Sequence, residues 1–100
     1  MINVIDTSLK IGVFYKDSLW RDEIFESLII ALDKNDIVKI SKYRLVLYGG
    51  NVIINFIPAN DNCRGYKFDR IYYQNGISDD FLDFIIKPQL YSQLIHLQFL

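Results

Sequence analysis

Residues 43–57 read Tyr-Arg-Leu-Val-Leu-Tyr-Gly-Gly-Asn-Val-Ile-Ile-Asn-Phe-Ile and carry the clearest structural signal in the chain. Two runs rich in β-forming side chains flank the pair Gly49-Gly50. A tight turn between antiparallel strands needs positive φ angles, which glycine adopts without steric cost. The stretch therefore predicts a β-hairpin, and the polar Arg44 and Asn55 predict that one of its faces is partly exposed to solvent.

Strand and helix patterns alternate on either side of this hairpin. Asp17-Ser18 and Ser78 each offer an N-cap for a helix, and Pro88 suits the first turn of another. The predicted strands are 10–16, 37–40 and 69–73, and the predicted helices are 18–33, 78–86 and a last one that begins at Pro88. This order predicts the α/β class, as a small layered domain with a central mixed sheet, a β-hairpin and about three helices.

The composition indicates one compact domain over residues 1–100, with 1–9 as a candidate loose N-terminus. Hydrophobic residues make up 51% of the 100 residues, which is enough apolar surface to offset the entropy of ordering the chain. The formal net charge is −1, whereas a general polyanion binder needs a positive field. Cys63 is the single cysteine, so an intramolecular disulfide and a multi-cysteine zinc site are excluded.

The segment from residue 10 to residue 90 resembles part of the ATPase domain of tailed-phage large terminase subunits. In that family a strand and helix that follow the Walker A region lead to a hairpin, an Arg-Gly element and the Walker B strand. Here the helix is 18–33, the hairpin is 43–57 and the Arg-Gly element is Arg64-Gly65. The strand 69–73 takes the Walker B position, and the helix 80–87 leads to a proline as in the family. The resemblance implies the core of a truncated P-loop NTPase.

The chain departs from the family at both catalytic motifs. It contains no Gly-x-x-x-x-Gly-Lys-Ser/Thr sequence, which supplies the phosphate-binding loop, the phosphate lysine and the magnesium hydroxyl. At the end of the Walker B strand, Gln74 and Asn75 stand where the family has acidic residues. An amide neither holds magnesium as a carboxylate does nor acts as a general base. We therefore expect no cofactor, no metal and no enzymatic activity.

Aromatic and acidic side chains are the candidates for contact with a protein partner. Tyrosines and phenylalanines anchor interfaces and aspartates belong to their rims, although core packing and helix capping also explain these residue types. The candidates are Tyr66, Tyr72, Tyr73, Asp79, Asp80, Asp83, Tyr91 and Phe99. The run 94–100 ends on large apolar side chains, so it is expected either to dock on its own sheet or to enter a partner.

Three basic residues, Arg64, Lys67 and Arg70, lie near tyrosines and form the candidate nucleic-acid contact, with a solvated strand edge as the alternative. Cys63 with His96 is a weak candidate for nucleophilic catalysis, and the segment 60–62 is a weak one for a cation. A small loop thiol, a surface imidazole and a turn explain these residues better.

The leading hypothesis is a small non-enzymatic phage protein that acts by protein–protein contact, inhibiting or redirecting a host or defence factor. An accessory or decoy subunit for a DNA-packaging or other P-loop ATPase is the first alternative, and a nucleic-acid-binding module is the second. Residues 1–6 lack the pattern of a signal peptide and no apolar run is long enough to span a bilayer, so the cytoplasm of the host cell is expected, without membrane contact. Homo-oligomerisation stays open.

Overall fold

The computed structural model describes residues 8–60 and 67–90 and the backbone of residues 97–99. One long helix, α1, spans Ser18–Ala31. A second helical stretch, the α2 segment (residues 79–89), begins as an α-helix at Asp79–Phe81, continues as a π-helix over Leu82–Ile86 and ends as a 3-10 turn at Lys87–Gln89. The strands described are Leu9–Tyr15 (β1), Ile37–Ser41 (β2), Arg44–Leu47 (β3), Val52–Pro58 (β4), Arg70–Tyr73 (β5) and Leu97–Phe99 (β6).

The described strands form one mixed sheet in the order β2-β3-β4-β1-β5-β6. The pairs β4–β1, β1–β5 and β5–β6 are parallel, while β2, β3 and β4 form an antiparallel meander. The predicted hairpin is confirmed, with Leu47 paired to Val52 at its closed end. Its turn covers residues 48–51 and is therefore longer than the two-residue primed turn that was predicted. Within it, Tyr48, Gly49 and Gly50 all have positive φ.

The helix starts follow the predicted caps. The side chain of Asp17 accepts a hydrogen bond from the backbone N–H of Leu19, and α1 begins at the next residue after the cap. Ser78 Oγ accepts from the N–H of Phe81 at the start of the α2 segment. Helix α1 ends two residues earlier than predicted, because Leu32 has an extended backbone conformation. Its N–H still donates to the carbonyl oxygen of Leu28.

The sheet is covered on both faces, and successive side chains of β1 enter different cores. Phe14 packs with the α2 segment, against the buried side chains of Ile71 and Ile86. Val13 points to the other face, where its neighbours include Leu45 of β3 and where α1 lies. The domain therefore has three layers, helix, sheet and helix, as the α/β prediction requires.

The two helical layers differ in how tightly they pack on the sheet. Leu82 and Ile86 of the α2 segment are buried, but α1 contributes no fully buried residue. Between α1 and the sheet lies a cleft of about 490 Å³ with an almost entirely apolar lining. Its lining residues are Ile11, Val13, Ile24, Ser27, Leu28, Ala31, Ile54 and Tyr72.

Gly12 has a packing role on the face of the α2 segment. A Cβ atom at this position would lie 2.8 Å from the ring of Phe68, which is buried. The same ring meets Phe14 edge-on, with 5.9 Å between ring centroids. The glycine in the middle of β1 thus admits an aromatic ring over the strand.

The predicted last helix from Pro88 is wrong for the residues that the structure describes, and its middle, 91–96, lies outside them. Pro88 lies in the short 3-10 turn, Leu90 is extended and bridges to Phe68, and residues 97–99 form β6. Strand β6 pairs in parallel with β5, so this part of the apolar C-terminal run docks on its own sheet. A short run of large apolar residues suits a buried strand as well as a helix, which is why the spacing of its leucines misled the prediction.

Candidate functional site

The carboxyl ends of β1 and β5 lie side by side at the centre of the sheet. From β1 the chain passes through α1 towards β4, whereas from β5 it passes through the α2 segment towards β6 on the opposite side. In open α/β sheets, ligands bind where two such connections diverge. This edge is therefore the first place to look for a site.

The turn between β1 and α1 is short and its backbone N–H groups are used within the chain. The side-chain oxygen of Gln74 accepts from the N–H of Lys16 at 2.7 Å and from that of Asp17 at 2.9 Å. Asp17 caps the helix, and the ammonium group of Lys16 lies 3.4 Å from the carbonyl oxygen of Gly76. A phosphate-binding loop needs several turn N–H groups that point at the ligand, and here those of Lys16 and Asp17 point at Gln74.

A cluster around Arg21 lies beside this turn, and no local sequence pattern indicated it. The guanidinium of Arg21 donates to the hydroxyls of Tyr15 at 3.1 Å and Tyr43 at 2.7 Å, and it forms an ion pair with Asp22 at 3.0 Å. It also lies 3.7 Å from the centroid of the Tyr43 ring, a cation–π distance. The hydrogen bond to Tyr15, together with Asp22, raises the pKa of Arg21 despite some desolvation. Arg21 therefore remains charged and ties α1 to β1 and to the β2–β3 turn.

Tyr43 adopts an unusual backbone conformation in this cluster. Its φ angle is +58°, in the left-handed region that bulky residues rarely enter, and its ring also meets Phe25 edge-on. Desolvation is the main cause that raises the pKa of Tyr43, with Asp22 adding to the shift and Arg21 opposing it. Tyr43, Phe25, Asp22 and Glu26 line a shallow depression of about 340 Å³.

The predicted partner-contact tyrosines do not form one patch in the described residues. Tyr72 packs on the side of α1, whereas Tyr73 packs on the side of the α2 segment. Tyr66 and Tyr91 lie outside the described residues, and Phe99 is described only by its backbone in β6. Tyr72 and Tyr73 separate because neighbouring residues of a strand point to opposite faces.

The three predicted aspartates are exposed on the α2 segment. Asp79 and Asp80 occupy its first turn, where the backbone dipole favours negative charge. Asp83 lies 2.7 Å from the ammonium group of Lys87, and this hydrogen-bonded pairing raises the pKa of Lys87. Local helix electrostatics thus account for all three carboxylates.

Two residues of the predicted basic strip, Lys67 and Arg70, are described, and both are exposed. The ammonium group of Lys67 donates to the carbonyl oxygen of Pro88 at 2.9 Å, and Arg70 is exposed at the start of β5. Arg64, Cys63 and His96 lie outside the described residues. Among the described residues, no three His, Cys, Asp or Glu side chains come together as metal ligands would. None of the described helices has the length and apolar character that a membrane span requires.

A second surface, missed by the sequence analysis, lies at the outer edge of β2. Val38 and Ile40 are more than half exposed there, and Ile30 at the end of α1 is 83% exposed. A groove of about 420 Å³ runs between β2 and the end of α1. Its lining residues are Ile29, Lys34, Ile37, Val38, Lys39 and Ile40. The sequence identified the strand, but its edge position depends on the strand order.

Comparison with known proteins adds no relative. No protein-family model matches the chain, and neither a curated protein nor a solved structure matches it.

Proposed function

We propose that this chain is a small non-enzymatic phage protein that acts by protein–protein contact in the cytoplasm of the infected cell, where it inhibits or redirects a host or defence factor. The phage origin rests on the resemblance to the terminase ATPase domain. The mode of action rests on how the chain uses its two candidate surfaces.

One observation carries the proposal. At the carboxyl edge, where an α/β sheet of this order would hold a ligand, Gln74 accepts hydrogen bonds from the turn N–H groups of Lys16 and Asp17. A side chain of the protein itself thereby accepts from two backbone donors that an anionic ligand would use. Mg–nucleotide binding here would have to break both bonds before it could gain any contact.

The exposed aliphatic side chains give the proposal a surface. Val38 and Ile40 leave apolar area in water on an outer strand. Clustered exposed apolar residues mark interaction sites more often than isolated ones do. A contact with another protein would remove this area from water, which is the main source of affinity in such interfaces.

The experiment is affinity purification from infected cells with quantitative mass spectrometry. The tagged wild-type chain is compared with Ile40→Asp, and with Phe84→Asp as the matched control, since Phe84 is 75% exposed on the α2 segment. We expect a stoichiometric partner that is lost with Ile40→Asp and retained with Phe84→Asp. Recovery of no partner, with a monomeric wild-type chain, would contradict the proposal.

An accessory or decoy role towards a P-loop ATPase is the second candidate. It is favoured by the direct contact of Gln74, at the Walker B position of the resemblance, with the backbone N–H groups of the β1–α1 turn. A chain with this arrangement can occupy a subunit position without turnover. The test is the ATPase rate of a purified terminase with and without the chain, and an unchanged rate in the absence of co-purification would reject this role.

A further inference from the structure

We infer that the outer edge of β2 is a strand-addition site for an acidic, extended segment of the protein partner, in which apolar and acidic residues alternate. This inference rests on the proposed function and names the class of segment that its surface accepts. The occupant follows from the backbone, the groove and the charge of this edge.

The backbone of β2 is available on one side. Strand β2 stands at the end of the strand order and pairs with β3, and no other described strand pairs with it. An edge strand presents unpaired N–H and C=O groups, which another extended chain can satisfy. Peptides that add to a sheet edge gain affinity from these main-chain bonds and specificity from alternate side chains.

The register of β2 separates two kinds of side chain. Ile40 stands opposite Leu45, whose side chain is buried in the core on the α1 face, so Ile40 faces the groove at the end of α1. Lys39 stands opposite Val46, so its side chain leaves the strand on the other face of the sheet, while the residue also borders the groove. An added strand would place every second side chain against the aliphatic groove and the others near Lys39.

The charge of this edge selects an acidic occupant. Lys39, Lys42 and Arg44 are the ionisable side chains of residues 37–44 other than tyrosine, and no acidic residue lies among them. Lys34 adds a further cation at the groove, and with the adjacent Asp33 and Asp36 the stretch 33–44 carries four cations and two carboxylates, a net charge of +2. Two copies joined edge to edge would bring these cations together, which is unfavourable, whereas carboxylates opposite them are favourable.

A nucleic acid would fit this edge less well than an acidic strand. Phosphates would meet Lys39 and Lys42, but the aliphatic side chains of Val38 and Ile40 between them would gain nothing from a phosphate backbone. The irregular register between Ile37 and Lys39, together with the lysine, is also a device that blocks aggregation at edges. Of the two features, it is the lysine that disfavours a second copy and favours a partner segment that carries carboxylates.

The test uses fluorescein-labelled peptides of about eight residues and the full chain, with binding followed by anisotropy. One peptide alternates valine with aspartate, one alternates valine with lysine, and one has the acidic composition with its valines and aspartates in separate blocks. We expect the alternating acidic peptide to bind about tenfold more tightly than either other peptide. Lys39→Glu should reverse the preference between the acidic and basic peptides, and Lys67→Glu is the control that should preserve it.

Three results would overturn the inference: no preference among the peptides, a preference unchanged by Lys39→Glu, or complete displacement of the acidic peptide by a single-stranded oligonucleotide. A concentration-dependent dimer in sedimentation that Lys39→Glu strengthens would also overturn it, in favour of a second copy as the occupant. The outcome for the proposed function is read separately. A partner that still co-purifies with Lys39→Glu from infected cells would reject this surface and leave the protein–protein function in place.

Discussion

The carboxyl edge of β1 and β5 differs from the outer edge of β2 in whether its backbone groups are hydrogen-bonded and its apolar side chains are buried. At the first edge, Gln74 and Asp17 satisfy backbone N–H groups inside the chain, and the face below it is closed by the α2 segment. At the second, β2 leaves one side of its backbone unpaired by any described strand, and Val38 and Ile40 are exposed.

The difference teaches that, under the proposed function, the contact surface lies away from the edge at which open α/β sheets bind ligands. The edge that such folds use for ligands is occupied by side chains of the protein, and the surface that is available for contact lies at the other end of the sheet. Substitutions at the two edges should therefore act on different quantities, folding stability at the first and partner binding at the second.

The largest expected effect is on the closed part of the sheet. Phe14→Ala removes a fully buried ring from the core under the α2 segment and should lower the free energy of unfolding by about 3–5 kcal/mol. Ile40→Ala at the open edge should change it by less than about 0.5 kcal/mol. Urea denaturation followed by circular dichroism measures both. Equal losses for the two variants would remove the contrast between the edges.

A smaller loss is expected where Phe68 crosses Gly12. Gly12→Ala places a methyl group 2.8 Å from the ring, so the ring must move within a packed core, at a cost of about 1–3 kcal/mol. Adding Phe68→Leu should return part of this loss, because the smaller side chain leaves room for the methyl group. Denaturation of the single and double variants measures the coupling, and strictly additive losses would contradict the close contact.

The carboxyl edge itself is tested by Gln74→Leu. This change removes the acceptor for the N–H groups of Lys16 and Asp17 at a half-exposed position, and about 1 kcal/mol of stability should be lost. Asn75→Leu, at the exposed neighbouring residue, is the control and should be close to neutral. Amide hydrogen exchange at Lys16 and Asp17 should accelerate only in Gln74→Leu.

The smallest effect concerns Tyr43 and the pH dependence of stability. The pKa of Tyr43 is raised in the folded state, so its folded form holds its proton longer than the unfolded form does. Stability from this group is therefore complete below its ordinary pKa, near 10, and is lost as pH rises through the raised value. Tyr43→Phe should lose less stability than the wild type above pH 10, and Tyr48→Phe at the hairpin turn is the control. A parallel pH profile for wild type and Tyr43→Phe would contradict the shift.

Much of the fold follows from local sequence signals. The cap at Asp17, the glycine pair at the hairpin and the cap at Ser78 each act within a few residues, and each prediction was confirmed. The C-terminal strand was missed because it has only three residues, and the pattern of apolar residues in so short a run does not distinguish a strand from a helix. Its conformation depends on pairing with β5, a contact distant in sequence.

The candidate surfaces were harder to predict than the fold. The side chains of Arg21 and Tyr43 meet although 22 positions separate them, and the contact of Gln74 with Lys16 spans 58 positions. The exposure of Ile40 depends on β2 being the last strand of the meander. These arrangements arise from strand order, which local patterns do not encode, so the tyrosines singled out from the sequence fell on opposite faces of the sheet.

The most direct test of the central claim is a nuclear magnetic resonance titration of the ¹⁵N-labelled chain with Mg–ATP, with the amide signals of Lys16 and Asp17 as the readout. If Gln74 holds both N–H groups, these signals should stay unmoved at millimolar nucleotide. Saturable shifts at both positions, accompanied by phosphate release, would show that this edge handles nucleotide after all.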